Sequence, residues 1–146
     1  MKRSNSGFTL IEVMIVVAIV AIILTVALPA YFDQIRKTKR SLAKSELMSI
    51  MARQEQFFVN NKRYATSMTD LGYAANPFAI DADGTEVLVT AGSRIYTVQF
   101  AAGATTTAFT LQAVPQLDQA KDVLCGTLAV TSLGAKSATG SGAGCW

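Results

Sequence analysis

The chain has no histidine at all, and only two cysteines, one tryptophan and three prolines among its 146 residues. Without histidine, Ser/His and Cys/His nucleophile pairs and most zinc sites are excluded at once. Charge is scarce as well, since 16% of residues are charged against roughly a quarter in ordinary soluble domains. The formal net charge is +3, and two of the cations, Lys2 and Arg3, precede the apolar run described below. The remainder is close to neutral, so bulk charge makes no case for nucleic acid. Also missing are a Gly-rich phosphate loop, a nucleophile elbow, a metal-ligand cluster and a convincing pair of carboxylates. Asp81 and Asp83 stand in an Asp-Ala-Asp-Gly stretch, but a calcium loop needs an acidic residue at its closing position and none is there. That stretch reads as a turn. No enzyme, cofactor or metal is expected, and function must come from association.

What the chain has in excess is apolar side chains, at 51% of residues. Residues 8–30, FTLIEVMIVVAIVAIILTVALPA, are almost wholly apolar. At about 1.5 Å per residue they are long enough to cross the roughly 30 Å hydrocarbon core as a helix. A secretory signal peptide would carry its cleavage site after a shorter apolar stretch. Here the only cleavage-like residue, Gly7, precedes the run. Cutting after Gly7 would therefore remove residues 1–7 as a leader and leave the anchor, 8–30, in the product. Glu12 is the informative residue. A carboxylate on a membrane helix costs on the order of 2.5 to 3.5 kcal/mol near the helix centre and asks for a partner. Cleavage would place a cationic amine on Phe8, four residues away and on the same helix face, within reach of its own Glu12 or a neighbour's. Beyond the membrane the compartment is oxidising, so Cys125 and Cys145 are expected to form a disulfide.

After Pro29, which should bend or weaken the helix because it lacks an N–H, Ile35, Leu42, Ala43, Leu47, Ile50, Met51, Gln54, Phe57 and Phe58 recur close to the 3.6-residue period. The helix therefore continues to Asn60 and Asn61, burying one stripe on the core of its own domain. Arg36, Lys37, Lys39, Arg40 and Lys44 are assigned to its opposite face, in water or against neighbours. Residues 64–91 read as a loop, with a short strand at 86–90. Three clearer strands follow at 94–101, 109–114 and 127–132. In them Tyr96, Val98 and Phe100, then Phe109, Leu111 and Ala113, alternate with polar residues. Residues 102–107 are a hairpin connection, so the first two of these pair antiparallel. The body, 31–146, is thus an α+β layer pair of one helix and an antiparallel sheet of three to four strands. The Gly- and Ser-rich tail, 134–144, is expected to depend on the disulfide for its conformation.

The run Gly7-Phe8-Thr9-Leu10-Ile11-Glu12 resembles the amino-terminal signal of type IV prepilins, and Pro29 stands where that family carries a proline. Cys125-Gly126-Thr127-Leu128, Gly134-Ala135-Lys136 and Cys145-Trp146 are similar to the cysteine-closed carboxy-terminal loop of type IVa pilins, the small PilE- and ComP-like ones especially. The resemblance implies the type IV pilin fold. It implies cleavage after Gly7 by a prepilin peptidase, N-methylation of Phe8, and pairing of Glu12 with that amine during assembly. Its partners would be other pilin subunits, the pilus assembly platform and the inner membrane, crossed once with the amino terminus inside. The filament would then stand on the cell surface, serving adhesion, twitching motility or DNA uptake. Ala21 departs from the glycine that many members have there. The cations after the anchor would by a positive-inside count place the body in the cytoplasm. The prepilin signal and the cysteine pair place it outside, and the amphipathic helix accounts for those cations. Two other readings are a type II secretion pseudopilin and a pilin that captures DNA. Lys62, Arg63, Arg94, Lys121 and Lys136 are the candidate cations for DNA, although no aromatic interleaving or basic run joins them.

Overall fold

The computed structural model describes residues 8–146; Gly7 and the rest of the expected leader lie outside them. Two compact units divide the chain after Ile35, and a single helix, α1 (Leu10–Asn61), contributes to both. In the first unit the apolar run is helical from Leu10 onward. Helical assignment continues across Pro29 without interruption. Because Pro29 has no N–H, the Thr25 carbonyl loses its usual helical partner, and the Thr25 hydroxyl in turn donates to the Ile22 carbonyl at 2.7 Å.

The second unit packs residues 36–61 of α1 with a six-stranded antiparallel sheet. The strands are β1 (Phe78–Ile80), β2 (Glu86–Val87), β3 (Tyr96–Phe100), β4 (Thr110–Pro115), β5 (Leu128–Thr131) and β6 (Lys136–Ala138). Their order is β2-β1-β3-β4-β5-β6. β3 and β4 pair antiparallel from Tyr96 opposite Pro115 to Phe100 opposite Leu111, as the connection at 102–107 requires. Buried Ala43, Leu47, Ile50 and Gln54 recur at alternating steps of four and three along α1, the spacing that keeps side chains on one face. Ala43, Leu47 and Ile50 share one core with Phe78, Ile80, Tyr96, Val98, Leu111, Leu128 and Val130, and the Gln54 amide is satisfied by the Ala65 backbone. Each large aliphatic or aromatic side chain buried there contributes about 1.5 to 3 kcal/mol.

Six strands stand where three to four were expected. β1 was hidden because Phe78, Ala79 and Ile80 are all buried, so the segment shows no alternation, and turn residues bracket it. β6 was hidden by its Gly- and Ser-rich surroundings. The strand expected at 86–90 is only Glu86–Val87, closing a tight turn onto β1. In that turn the Asp81 carboxylate accepts from the Asp83 and Thr85 amides at 3.0 and 2.9 Å.

The tail does not depend on the disulfide alone. Its β6 pairs with β5, the Gly140 amide donates to the Cys125 carbonyl at 2.9 Å, and the Gly142 amide donates to the Leu124 carbonyl at 2.7 Å. A Cβ on Gly140 would collide with the Leu124 carbonyl oxygen. Glycine there allows two backbones to touch, and the composition that reads as floppy is what lets the loop close.

Candidate functional site

The amino-terminal helix begins with a cap. Thr9 precedes the first helical residue, and its hydroxyl accepts from the Glu12 amide at 3.3 Å, while its carbonyl accepts from Val13 N–H at the same distance. Thr9-Leu10-Ile11-Glu12 therefore has the spacing of a capping box, in which the threonine satisfies an orphan amide and a glutamate three residues on lies in the first turn. Glu12 also stands at the positive end of the helix dipole, where a carboxylate is favoured. This role of Thr9 was legible as T-x-x-E but was read only as part of a cleavage signal. Phe8 is 83% exposed, and the large apolar side chains from Leu10 to Leu28 are exposed around the whole circumference of the helix. The apolar part of the helix is long enough to cross a membrane, and none of it is buried within the chain. A helix apolar on every side demands cover from lipid or from other helices.

At the start of the second unit a buried polar cluster ties α1 to the segment between β4 and β5. Arg40 donates from Nε and Nη2 to the two carboxylate oxygens of Asp122 at 2.9 and 2.7 Å. The two residues are 8% and 3% exposed. Gln119 Nε2, with two N–H groups to share, lies within hydrogen-bond distance of three acceptors, the Arg36 carbonyl at 3.2 Å, the Tyr96 hydroxyl at 3.1 Å and Asp122 at 3.3 Å. Burial pushes the Tyr96 phenol up to about 12, with nearby Asp122 adding to the rise and Gln119 and Arg40 opposing it. The assignment of Arg40 to a wet face is thus corrected. It belongs to the buried stripe, because its partner, 82 residues away, neutralises it.

The loop predicted to close through cysteine does so: Cys125 and Cys145 are bonded, with Cα atoms 5.4 Å apart. Trp146 donates from its indole N–H to the Ser137 carbonyl at 2.7 Å, and Lys136 Nζ lies 5.3 Å from the centre of its ring.

The five candidate DNA cations are not brought together. Lys62 and Arg63 follow the end of α1, beside the β3–β4 hairpin, where the Tyr64 amide donates to the Thr106 carbonyl. Arg94 lies before β3 and donates to the Ala91 carbonyl at 2.7 Å. Lys121 is paired with Asp118 at 2.8 Å, and Lys136 is on the edge strand β6. Of these, Lys136 lies over Trp146 and Arg63 lies 6.0 Å from the ring centre of Phe57, and both rings are partly buried against the core. Among the described residues there is no group of three or more His, Cys, Asp or Glu side chains that could hold a metal ion.

A capped helix exposed on every apolar side, continued into an antiparallel head with a cysteine-closed loop, defines the class of the type IV pilins. A solved type IV pilin from Shewanella oneidensis has the same fold, with a TM-score of 0.51 at 22% identity over 76% of this chain and 97% of that one. Residues 2–28 match the prokaryotic N-terminal methylation motif. The chain belongs to the family of the type IV minor pilin ComP, DNA uptake sequence receptor, whose sequence model matches residues 29–129. Among curated relatives, the type IV major pilin protein PilA of Myxococcus xanthus is 40% identical over 70 residues, 48% of this chain and 32% of that protein. A fimbrial protein of Pseudomonas aeruginosa is 31% identical over 94 residues, 60% of this chain and 61% of that protein. The type II secretion system core protein G of Dickeya chrysanthemi is 28% identical over 72 residues, 49% of this chain and 47% of that protein. The chain thus spans roughly a third to three fifths of the length of these relatives.

Proposed function

We propose that this chain is a structural subunit of a type IV pilus, held in the inner membrane by residues 8–30 and then polymerised through that helix. The observation that carries the reading is the complete exposure of the apolar helix in the isolated chain. Lipid and a bundle of like helices both cover it, so an assembly platform can move subunits between the two states. In this reading a prepilin peptidase cuts after Gly7 and the Phe8 amine is methylated. The amine keeps its positive charge and pairs with the Glu12 of an adjacent subunit. Pro29 weakens one turn where the anchor ends. The membrane is crossed once with the amino terminus inside, and the filament is displayed at the cell surface.

Electron microscopy of cells carrying Glu12→Ala or Glu12→Val tests it. Both variants should insert and be processed, while filaments fall by at least an order of magnitude; normal filament numbers with either would end the pairing role. A second reading, that the subunit also captures DNA, is favoured by the family to which residues 29–129 belong. The exposed Lys136 beside Trp146 is the feature of the head best suited to it, because it joins a phosphate-seeking cation to a ring on which a base can stack. The likeness to a secretion-system pseudopilin covers half the chain and adds no feature of its own.

A further inference from the structure

The carboxy-terminal turns of α1 carry a concentration of carboxamides that neither the core nor the cysteine loop uses. Arg53, Gln56, Phe57 and Asn60 stand at i, i+3, i+4 and i+7, the spacing that aligns side chains on one helix face. A short 3-10 turn, Met68–Leu71, forms the facing wall. Arg53, Gln56, Phe57, Asn60 and Asn61 from the helix and Asp70 from the turn line one open groove of about 440 Å³, inside the roughly 300 to 1,000 Å³ of small-ligand sites. Both walls are fixed. The Arg53 guanidinium donates to the Leu71 carbonyl at 2.9 Å and lies 4.7 Å from the centre of the Tyr73 ring. The buried Gln54 carboxamide exchanges hydrogen bonds of 2.9 and 2.8 Å with the Ala65 N–H and carbonyl, which ties the chain leaving α1 back to the helix. Met68 and Leu71 are buried, and Gly72 caps the turn at φ 88°. A groove held in this way loses little on ordering a ligand.

The polar groups between these walls are left over. Asn61 Nδ2 donates to the Phe57 carbonyl at 3.0 Å, which leaves its side-chain oxygen for something else. Among the described residues the side chains of Gln56, Asn60 and Asp70 have no hydrogen-bond partner. The carboxamides of Gln56, Asn60 and Asn61 each offer donors and an acceptor, and the Asp70 carboxylate offers two acceptor oxygens. The two charges of the lining, Arg53 and Asp70, are opposite in sign, and Arg53 is already engaged. Such a set suits a ligand that is neutral and carries donors and acceptors side by side, as neighbouring hydroxyl groups do. A phosphodiester, anionic and acceptor-only, would meet the Asp70 carboxylate and find its one cation committed elsewhere.

We propose that this groove binds a neutral mono- or disaccharide unit of a glycan, with Asp70 accepting from paired hydroxyls and Gln56, Asn60 and Asn61 holding their neighbours. The site lies wholly within the head and adds a recognition activity to a subunit whose proposed part is structural. It also accounts for Asn60 and Asn61. Asparagine is among the poorer helix formers, and at exposed positions of the last turn the two contribute less to α1 than alanine would.

The test titrates the full chain with maltose, lactose, mannobiose and chitobiose and reads binding by saturation-transfer NMR. Lauryldimethylamine oxide micelles hold the chain, so that no sugar-headed detergent competes. At least one of the sugars should bind at millimolar concentration. Gln56→Ala, Asn60→Ala and Asp70→Ala should each weaken it about fivefold, the weight of one hydrogen bond. Ser45→Ala, exposed on the same helix but outside the groove, should leave the affinity unchanged. Alanine favours the helix at positions 56 and 60, so the thermal midpoints of those two variants should hold or rise while binding falls. Absence of saturation transfer to all of these sugars at millimolar concentration overturns the proposal. So does binding that survives the three alanine changes, because the sugar then sits elsewhere, and so does binding that falls only where the thermal midpoint falls with it. Duplex DNA bound through Gln56 and Asn60 in place of any sugar would assign the groove to a nucleic-acid surface and overturn the saccharide.

Discussion

Tyr96 shows how one residue reports on the whole junction of helix and sheet. Its ring is in the core and its hydroxyl accepts from Gln119, so ionising it would put a phenolate among apolar side chains. The folded value of about 12 lies above the ordinary phenol value near 10. A raised value means that the folded state holds the proton longer than the unfolded state. The resulting contribution is therefore intact below pH 10 and disappears as pH rises from about 10 to about 12. Urea denaturation between pH 9 and about 12, with phenolate absorbance recorded in parallel, should show stability falling across that window. Tyr96→Phe should flatten part of the fall. Tyr73, raised further by burial and by its hydrogen bond to Glu46 at 2.7 Å, accounts for another part. Neither behaviour was legible beforehand, since Tyr96 looked like any inward residue of an alternating strand.

Among the elements, the strands with alternating faces were visible in the sequence and the ones without were not. Tyr96, Val98, Leu111 and Ala113 announced β3 and β4 because water on one side and core on the other impose a two-residue period. β1 is buried throughout its length and so has no period to read. Arg40 escaped for a related reason: a cation within a run of cations looks solvated until a carboxylate from far along the chain is folded onto it. The Arg40–Asp122 pair should consequently behave as a buried pair. Arg40→Ala or Asp122→Ala alone strands a charge and should destabilise the head by about 3 to 5 kcal/mol. The double change to Arg40→Ala and Asp122→Ala should cost much less than the two single effects together. Chemical denaturation of the four proteins provides the cycle, and additive single effects would mean that the pair is not coupled.

For the whole molecule, the division of labour between an apolar helix and a separate head was plain from composition, and so was the cysteine closure. Where the surface cations end up was not, because Lys62, Arg94, Lys121 and Lys136 occupy places that only the fold decides. Scattered cations make a weak polyelectrolyte surface, and any DNA binding by the head should show a shallow salt dependence. Each phosphate contact contributes a slope of about −0.9 for a duplex. Fluorescence titration of the full chain in detergent with duplex DNA should give a slope corresponding to only a few contacts. Lys136→Gln should reduce it by about one, whereas Lys121→Gln, whose cation is already paired with Asp118, should change it little. A steep slope left intact by Lys136→Gln would remove the Lys136 and Trp146 corner from consideration.

The two outermost strands have a further consequence at the scale of many copies. β2 has two residues and β6 three, and Glu86 and Lys136 place a charge on each. A sheet that ends so abruptly offers little unpaired backbone for another sheet to extend. Helices bundled into a fibre would hold their heads at a crowding where long open edges would fuse them into a continuous ribbon. With both rims this short, strand addition between neighbouring heads is disfavoured, and in the proposed filament each fold would remain a separate bead.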